Sequence, residues 1–479
     1  YSGSSGANTE VTGSSGRDFI IANNTTGILT LNAGEGNDEI NIRNNENADI
    51  IYGEAGNDIV YIDANDLSSD AVIDGGTGSD WIAFGLWGGG NAVTYTLNSG
   101  VTTNFENMVG SGSDDTLTGD SGANSIHGGS GDDTIYGKGG DDLLYGDITE
   151  NGSGSVYQMD NGIGQGPAYG HYDTGNDTIY GGAGNDTLYG AGGDDVLDGG
   201  TGTDTLQGGV GSDTFIIRTG DGSTTLANAN VIVDFADGDV IGMDGIAYDD
   251  LTIEQGTGDY ASHTLVSVTA TGEYLLILQN TTASNINAPD FASTSTEAQT
   301  FTGTSGNDTF VGGAGNDTFN GGAGSDELYG HGGNDTFNIT SKSGAFTDII
   351  DGGAGTDTLN INFASISAFS SVSYDGGYVA GGNWTLTHSS GGTITFKNIE
   401  SISFDDVTYE IIYSSNNGDV RSDIHNANGR IGGALYSSAE NKVILFNNGG
   451  VTNLDLSRLT EYSGSSGANT EVTGSSGRD

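Results

Sequence analysis

A nine-residue pattern recurs through this chain, with glycine at the first, second and fourth places, aspartate at the sixth and a large apolar residue at the eighth. Gly128-Gly-Ser-Gly-Asp-Asp-Thr-Ile-Tyr136 is followed at once by Gly137-Lys-Gly-Gly-Asp-Asp-Leu-Leu-Tyr145. The pattern runs from Gly110 to Tyr145, from Tyr172 to Ile216 and from Gly303 to about Asn338, and a further copy spans Gly352 to Asn360. A short fixed period of this kind marks a solenoid, because one copy cannot bury its apolar side chain except against its neighbours. A wide globular core is excluded by the same token. Of 479 residues 86 are glycine, so side chains able to fill such a core are scarce.

The first hundred residues carry the nonapeptide more sparsely, with glycine turns ending at Asp18, Asp38, Asp58 and Asp80, spaced 20, 20 and 22 apart. Between them lie Ile28-Leu-Thr-Leu31, Asp49-Ile-Ile-Tyr52 and Ala71-Val-Ile-Asp74, which read as strands by β-branching and length. In each full copy the residues after the aspartate form a strand of about three residues whose single apolar side chain points inward. Ile135, Leu144, Ile179, Leu188, Leu197, Leu206, Phe215, Phe310, Phe319, Leu328 and Phe337 hold that place and are expected to stack as a narrow ladder. The fold class is therefore all-β, built of parallel β-solenoid segments with β-rich caps between them.

Charge points to the partner. Sixty-five acidic residues stand against 11 basic ones, a formal charge of −54. Nucleic acid and anionic membrane are poor partners for a polyacid, and cations are natural ones. Glycines at the first, second and fourth places free the backbone for positive φ, which turns carbonyls toward a small volume that the sixth-place carboxylate completes. Oxygen ligands of this mixed type, without imidazole or thiolate, suit a hard cation, and Ca²⁺ better than Mg²⁺. The chain has no cysteine, hence no disulfide framework and no thiolate metal site.

These residues resemble the calcium-binding nonapeptides of the RTX (repeats-in-toxin) family, over roughly half of the chain. The resemblance implies a right-handed parallel β-roll holding several Ca²⁺ ions, each between turns 18 residues apart. Carried onto this sequence, it pairs Asp115 with Asp133, Asp177 with Asp195, Asp186 with Asp204, Asp195 with Asp213, Asp308 with Asp326, and Asp317 with Asp335. Asp357 takes the same place in the last copy. Asn124 stands opposite Asp142, so a weaker site is expected there, and at Asp18 to Asp80 ions are expected on one edge only.

Domains follow from these landmarks: an irregular calcium roll over 1–108, a regular roll over 109–216 with an insertion at 147–171, and a β-rich cap over 217–300. A second regular roll covers 301–361, and a β-rich connecting region 362–461. Val231-Ile-Val-Asp-Phe235 and Tyr274-Leu-Leu-Ile-Leu278 belong to the cap, which an open coil end needs over its strand edges. Phe105-Glu-Asn-Met-Val109 and Phe396-Lys-Asn-Ile-Glu-Ser-Ile402 read as entry strands before repeats.

No catalytic constellation stands out, and the chain reads as a non-enzyme. The six histidines are scattered singly, and His127 and His331 lie in the repeat as solvent-facing filler. Gly119-Asp-Ser-Gly122 looks like a protease nucleophile turn but falls in register as the start of a nonapeptide. Asp114-Asp115 and Asp132-Asp133 read as one ligand plus one solvated acid rather than a glycosidase dyad. Tyr136, Tyr145, Tyr180 and Tyr189 follow the apolar ladder by one place, giving an outward aromatic column.

Residues 1–18 recur letter for letter at 462–479, an offset of 461. The expectation is a 461-residue unit repeated head to tail, exported to the bacterial surface as a calcium-stiffened filament, matrix or layer. The opening Tyr1, with no basic-then-apolar leader, reads as an internal fragment or processed product. Expected partners are further copies of the unit, with Arg421, Arg430, Lys442 and Arg458 against a neighbouring acidic roll, and cell-surface polysaccharide. Alternatives are the secretion and folding appendage of an RTX enzyme, and an adhesin or ice-binding module presenting Thr134, Thr178, Thr187, Thr205, Thr309 and Thr318. No apolar run is long enough to span a bilayer.

Overall fold

The computed structural model describes residues 8–22, 27–43, 47–63, 67, 69–84, 91–147, 175–340, 342, 344–364, 368–374 and 382–404, and beyond them the backbone of Val407–Tyr413, His425–Asn426, Gly429–Ser437 and Lys442–Asn447. The expectations for the insertion, for the side chains of Arg421, Arg430, Lys442 and Arg458, and for the recurring segment 462–479 lie outside the described residues. The chain is all-β. Among the described residues there are parallel strand ladders and a few short 3₁₀ turns, and no α-helix. Two compact units are formed, Tyr1–Gly242 with Asp250–Ile286, and Met243–Asp249 with Asn287–Asp479.

In the first unit one long sheet runs parallel from Phe19–Ile21 through Glu39–Asn41, Ile59–Ile62, Trp81–Phe84, Asn107–Val109, Ser125–Gly129, Leu143–Asp147, Thr187–Gly192, Thr205–Val210 and Asn230–Ile232 to Glu273–Leu278. It then turns antiparallel through Thr264–Val268 to Leu251–Gln255. The change of direction ends the coil, since an antiparallel hairpin covers an edge that another parallel turn would otherwise extend. Alternating with this sheet along the chain is a ladder of Thr9–Thr12, Leu29–Glu35, Ile50–Ala55, Val72–Asp74 and Thr102–Thr103. A second ladder, of Thr94–Thr96, Thr116–Thr118, Thr134–Gly139, Thr178–Ala183, Val196–Thr201 and Thr214–Arg218, succeeds it.

The strands are short because each nonapeptide offers one apolar residue between two glycine loops. Ile135, Ile179, Leu197 and Phe215 stand in register on one sheet, and Leu144, Leu188 and Leu206 on the other. All of them are buried. Register survives the insertion: Ile135 pairs with Ile179, and Leu144 with Leu188, each 44 residues on, as if the intervening residues were absent.

The second unit repeats the plan with larger side chains. Thr300–Thr302, Thr318–Asn320, Thr336–Ile339, Thr358–Ile361 and Ser401–Phe404 are parallel, and Val407–Tyr413 adds antiparallel. On the other side Thr309–Val311, Glu327–Tyr329, Thr347–Asp351 and Thr393–Lys397 run parallel before the antiparallel Trp384–His388 and Phe369–Tyr374. Phe301, Phe319 and Phe337 stack at 4.8 and 4.7 Å between ring centroids, while Phe310 is only half-buried. Asn338 donates to Asn320 and Asn360 to Asn338, both at 3.0 Å, so the flanking polar places also form a column. The segment around Phe396–Ile402 is placed differently from the sequence expectation. It forms the last parallel turn of this roll, after its repeats and not before them.

Candidate metal centre: the aspartate ladders

Each loop is held open by its glycines, but not all for one reason. In Gly181–Asp186 the second and fourth residues, Gly182 and Gly184, have φ of 111° and 147°. The first, Gly181, does not have positive φ, which corrects the expectation that all three glycines serve that end. A Cβ on Gly181 would stand 2.5 Å from Oδ2 of Asp186 and 2.6 Å from the carbonyl oxygen of Gly199 on the next turn. Glycine at the first place thus keeps a space clear where a carboxylate and a carbonyl converge. Four loops keep this shape without glycine at the second place, with φ of 77° at Glu54, 84° at Lys138, 90° at Ala191 and 65° at His331.

The sixth-place residues are joined along the axis by a repeated contact. The N–H of each donates to Oδ1 of its counterpart on the following turn: Asp115 to Asp133 at 2.7 Å, Asp177 to Asp195 at 2.8 Å, Asp186 to Asp204 at 2.9 Å and Asp195 to Asp213 at 3.0 Å. Asp308 to Asp326 at 3.2 Å and Asp317 to Asp335 at 2.7 Å repeat it in the second unit. All six sequence-derived pairs are therefore neighbours. Asp133 to Asp177 and Asp142 to Asp186 carry the ladder across the insertion, and Asp18, Asp38, Asp58 and Asp80 form the same chain at 2.7 Å per step.

The other carboxylate oxygen divides these residues into two groups. In Asp18, Asp308 and Asp317, Oδ2 accepts the N–H of the loop's second residue, from Ser14, Thr304 and Gly313 respectively, and Asp115 accepts from Ser111 in the same way. In Asp38, Asp58, Asp80, Asp133, Asp142, Asp186, Asp195, Asp204, Asp335 and Asp357, Oδ2 is buried without a hydrogen-bond donor. Positive φ at the second residue aims its N–H elsewhere and leaves that oxygen bare.

A buried carboxylate without a donor is stable only if protonated or facing a cation. Burial pushes Asp133 up to about 9, with Asp177, Asp115 and Asp147 adding repulsion against the opposing hydrogen bond to Asp115. Burial likewise raises Asp195 to about 8 and Asp80, Asp142, Asp204 and Asp335 to about 7. For Asp58, Asp213 and Asp357 the result is about 6. A divalent cation removes the conflict by neutralising the carboxylates where they lie. Among the described residues no three acidic or histidine side chains converge on one point, so carbonyls must complete the ligand set. Such a donor set, rich in carbonyl oxygen, fits Ca²⁺.

Asn124 departs from this. Its Oδ1 accepts from Asp120 at 2.9 Å and its Nδ2 donates to the Glu106 carbonyl at 3.0 Å, so no bare oxygen remains. Fifth-place residues form a second, outer ladder of opposite sense: the N–H of Asn176 donates to Asp132, and that of Asp194 to Asn176. Asp132, read from sequence as a solvated acid, therefore also carries a backbone contact.

Several acceptors escaped the sequence reading because they lie outside the nonapeptide. Glu106 and Glu400 accept the N–H of Asp80 and Asp357, and Asp239 that of Asp213. Asp49 and Asp70 form a ladder on the second edge of the irregular roll, at 2.7 Å from Leu29 to Asp49 and 3.2 Å from Asp49 to Asp70. Asp348, fully buried, accepts from Asp326 at 3.0 Å. The two repeat histidines are not solvent-facing filler: His127 stacks on Tyr145 at 4.5 Å with Trp81 at its edge, and burial lowers His331. Beyond His127 the aromatic column continues, with Tyr145 on Tyr189 at 4.8 Å and, on the other sheet, Tyr136 on Tyr180 at 4.9 Å.

Parallel turns of two short strands, joined by glycine loops that stack inward-facing carboxylates, define a cation-binding β-roll. Residues 45–66, 109–144, 171–206, 191–223, 302–337 and 342–360 match the family described as RTX calcium-binding nonapeptide repeat. Those segments carry RTX nonapeptide repeats, a family whose description implies calcium binding, and the parallel turns they build fit an RTX β-roll. No protein of curated function matches it. Among solved structures it is similar to the crystal structure of extracellular lipase LipA from Serratia marcescens, at 15% identity and a TM-score of 0.15, covering 66% of this chain and 41% of that one. The chain thus spans less than half of that structure's length.

Proposed function

We propose that this chain is a secreted structural protein whose calcium-dependent rolls are repeated head to tail in an extracellular filament, matrix or surface layer of bacterial cells. The observation that carries the reading is the recurrence of residues 1–18 at 462–479. The first copy contains Thr9–Thr12 and leads into Phe19–Ile21, and both strands stand at the ends of their sheets. Phe19 is 58% exposed at that end. Thr470-Glu-Val-Thr473 repeats the first of these strands in sequence, so each 461-residue unit would begin with the same surface.

Calcium outside cells would stiffen the units, and the half-exposed tyrosine columns offer flat rings to a cell-surface polysaccharide. Among the described residues no helix is long and apolar enough to cross a membrane. The reading assigns the chain no catalytic step. Electron microscopy in millimolar Ca²⁺ tests it: fibres or sheets with one axial repeat per 461-residue unit, dispersed by chelator, are expected. Uniform single-unit particles at every calcium level would overturn it and favour the appendage of an enzyme.

A further inference from the structure

One cation is already built into the second roll. The side chain of Lys342 is 1% exposed, and its ammonium lies 2.7 Å from Oδ2 of Asp326, 2.9 Å from Oδ1 of Asp348 and 3.1 Å from the carbonyl oxygen of Gly324. These partners are the fourth-place carbonyl and sixth-place carboxylate of one loop, and the carboxylate of the following turn. The Phe346 ring lies 5.6 Å from the nitrogen on another side. The opposite edge of the same turn supplies the comparison. Asp335 and Asp357 are also 22 residues apart and joined by the same N–H to Oδ1 contact, yet the Oδ2 atoms of both are bare, whereas at the lysine step Oδ2 of Asp326 is held and only that of Asp348 is without a donor.

We infer that Lys342 is a tethered substitute for Ca²⁺ at the Asp326–Asp348 step, so that this step of the ladder is held without metal while its neighbours require it. The inference rests on the calcium reading of the loops. An ammonium supplies a single positive charge and three donors, which matches three oxygens but leaves no room for a divalent ion among the same atoms. Its entry is made possible by the four residues that lengthen this turn from the regular 18 to 22. The lysine thereby fixes one rung of the second roll independently of calcium supply, a fixed point on which the metal-dependent loops can assemble.

Native mass spectrometry of the full 479-residue chain at saturating Ca²⁺ tests the inference by counting bound ions. Lys342→Ala empties the position and is expected to bind one more Ca²⁺ than the unaltered chain; Lys342→Arg, which retains a cation, is expected to bind no more. Equal non-zero counts for the alanine variant and the unaltered chain overturn the inference alone. No calcium in either overturns the calcium reading and this inference with it. A second measurement needs no variant. Amine acylation of the unaltered chain at saturating Ca²⁺ should spare Lys342 while labelling the exposed Lys138. Labelling of Lys342 as calcium saturates would mean that the ion displaces it, which overturns the inference.

Discussion

Asp142 donates its backbone N–H to Oδ1 of Asp186 at 2.7 Å, the contact that within the uninterrupted repeats joins residues 18 apart, although these two are separated by 44. The ladder therefore answers to place in the loop and not to distance along the chain. In ten loops whose second residue holds positive φ the sixth-place carboxylate keeps a buried oxygen without a donor, and Asp142 and Asp186 do so on either side of the insertion.

Calcium is expected to govern folding. At −54 the chain repels itself, and its glycine loops lose much backbone entropy on ordering. Circular dichroism should show β structure gained on adding millimolar Ca²⁺ and lost with chelator. A β spectrum indifferent to both would count against the metal reading of the ladders.

Within a loop, the sixth place should matter more than the fifth. Asp195→Ala removes a bare buried oxygen and the acceptor for Asp177, whereas Asp132→Ala removes one exposed acceptor, worth about 1 kcal/mol. Calcium titrations of the two variants should show a large loss of affinity for the first and little change for the second. Equal losses would mean that the register of the ligands is wrong.

Much of this was legible from residue order alone. The apolar ladder residues on either side of the insertion, from Ile135 to Phe215, and the six aspartate pairs follow directly from the nine-residue period. Asp49, Asp70, Asp348, Glu106 and Glu400 were not legible, because their spacing from the preceding carboxylate is irregular and no glycine loop precedes them. The split among the aspartates was hidden for another reason. Ser14, Ser111 and Thr304 satisfy Oδ2 through the backbone, and a backbone N–H leaves no mark on a sequence.

Neighbouring residues should respond to substitution with opposite sign. Gly190→Ala drives a Cβ against Oδ2 of Asp195 and should destabilise by about 1–3 kcal/mol through overpacking. Ala191→Gly relieves a φ of 90° and should stabilise by up to about 1 kcal/mol, less the added entropy of the unfolded chain. Thermal melts at fixed calcium distinguish the two, and a stabilising Gly190→Ala would contradict the steric role of the first glycine.

Acid should partly replace calcium. The folded-state values of Asp58, Asp80 and Asp133 are raised by burial to about 6, 7 and 9 from an ordinary 3.8. The folded chain therefore binds more protons than the unfolded one between about pH 4 and 9, so stability is greatest below that window and falls as pH rises through it. Calcium-stripped protein should hold more β structure by circular dichroism at pH 4.5 than at pH 8, and the difference should shrink when Ca²⁺ is restored. The reverse order in the stripped protein would show that these carboxylates are not forced neutral by burial.

The sixth-place contacts have a direction. Every N–H from Asp115 onward finds its acceptor on a later turn, and the series ends on a residue outside the repeat, such as Asp239 or Glu400. A roll assembled from its N-terminal end would always have a newest loop with an unanswered donor. Assembly from the other end would leave the newest loop with an unfilled Oδ1 acceptor instead, so the two ends of a roll are chemically unlike: a carboxylate without a sixth-place donor at one, a backbone N–H closed by a residue outside the repeat at the other.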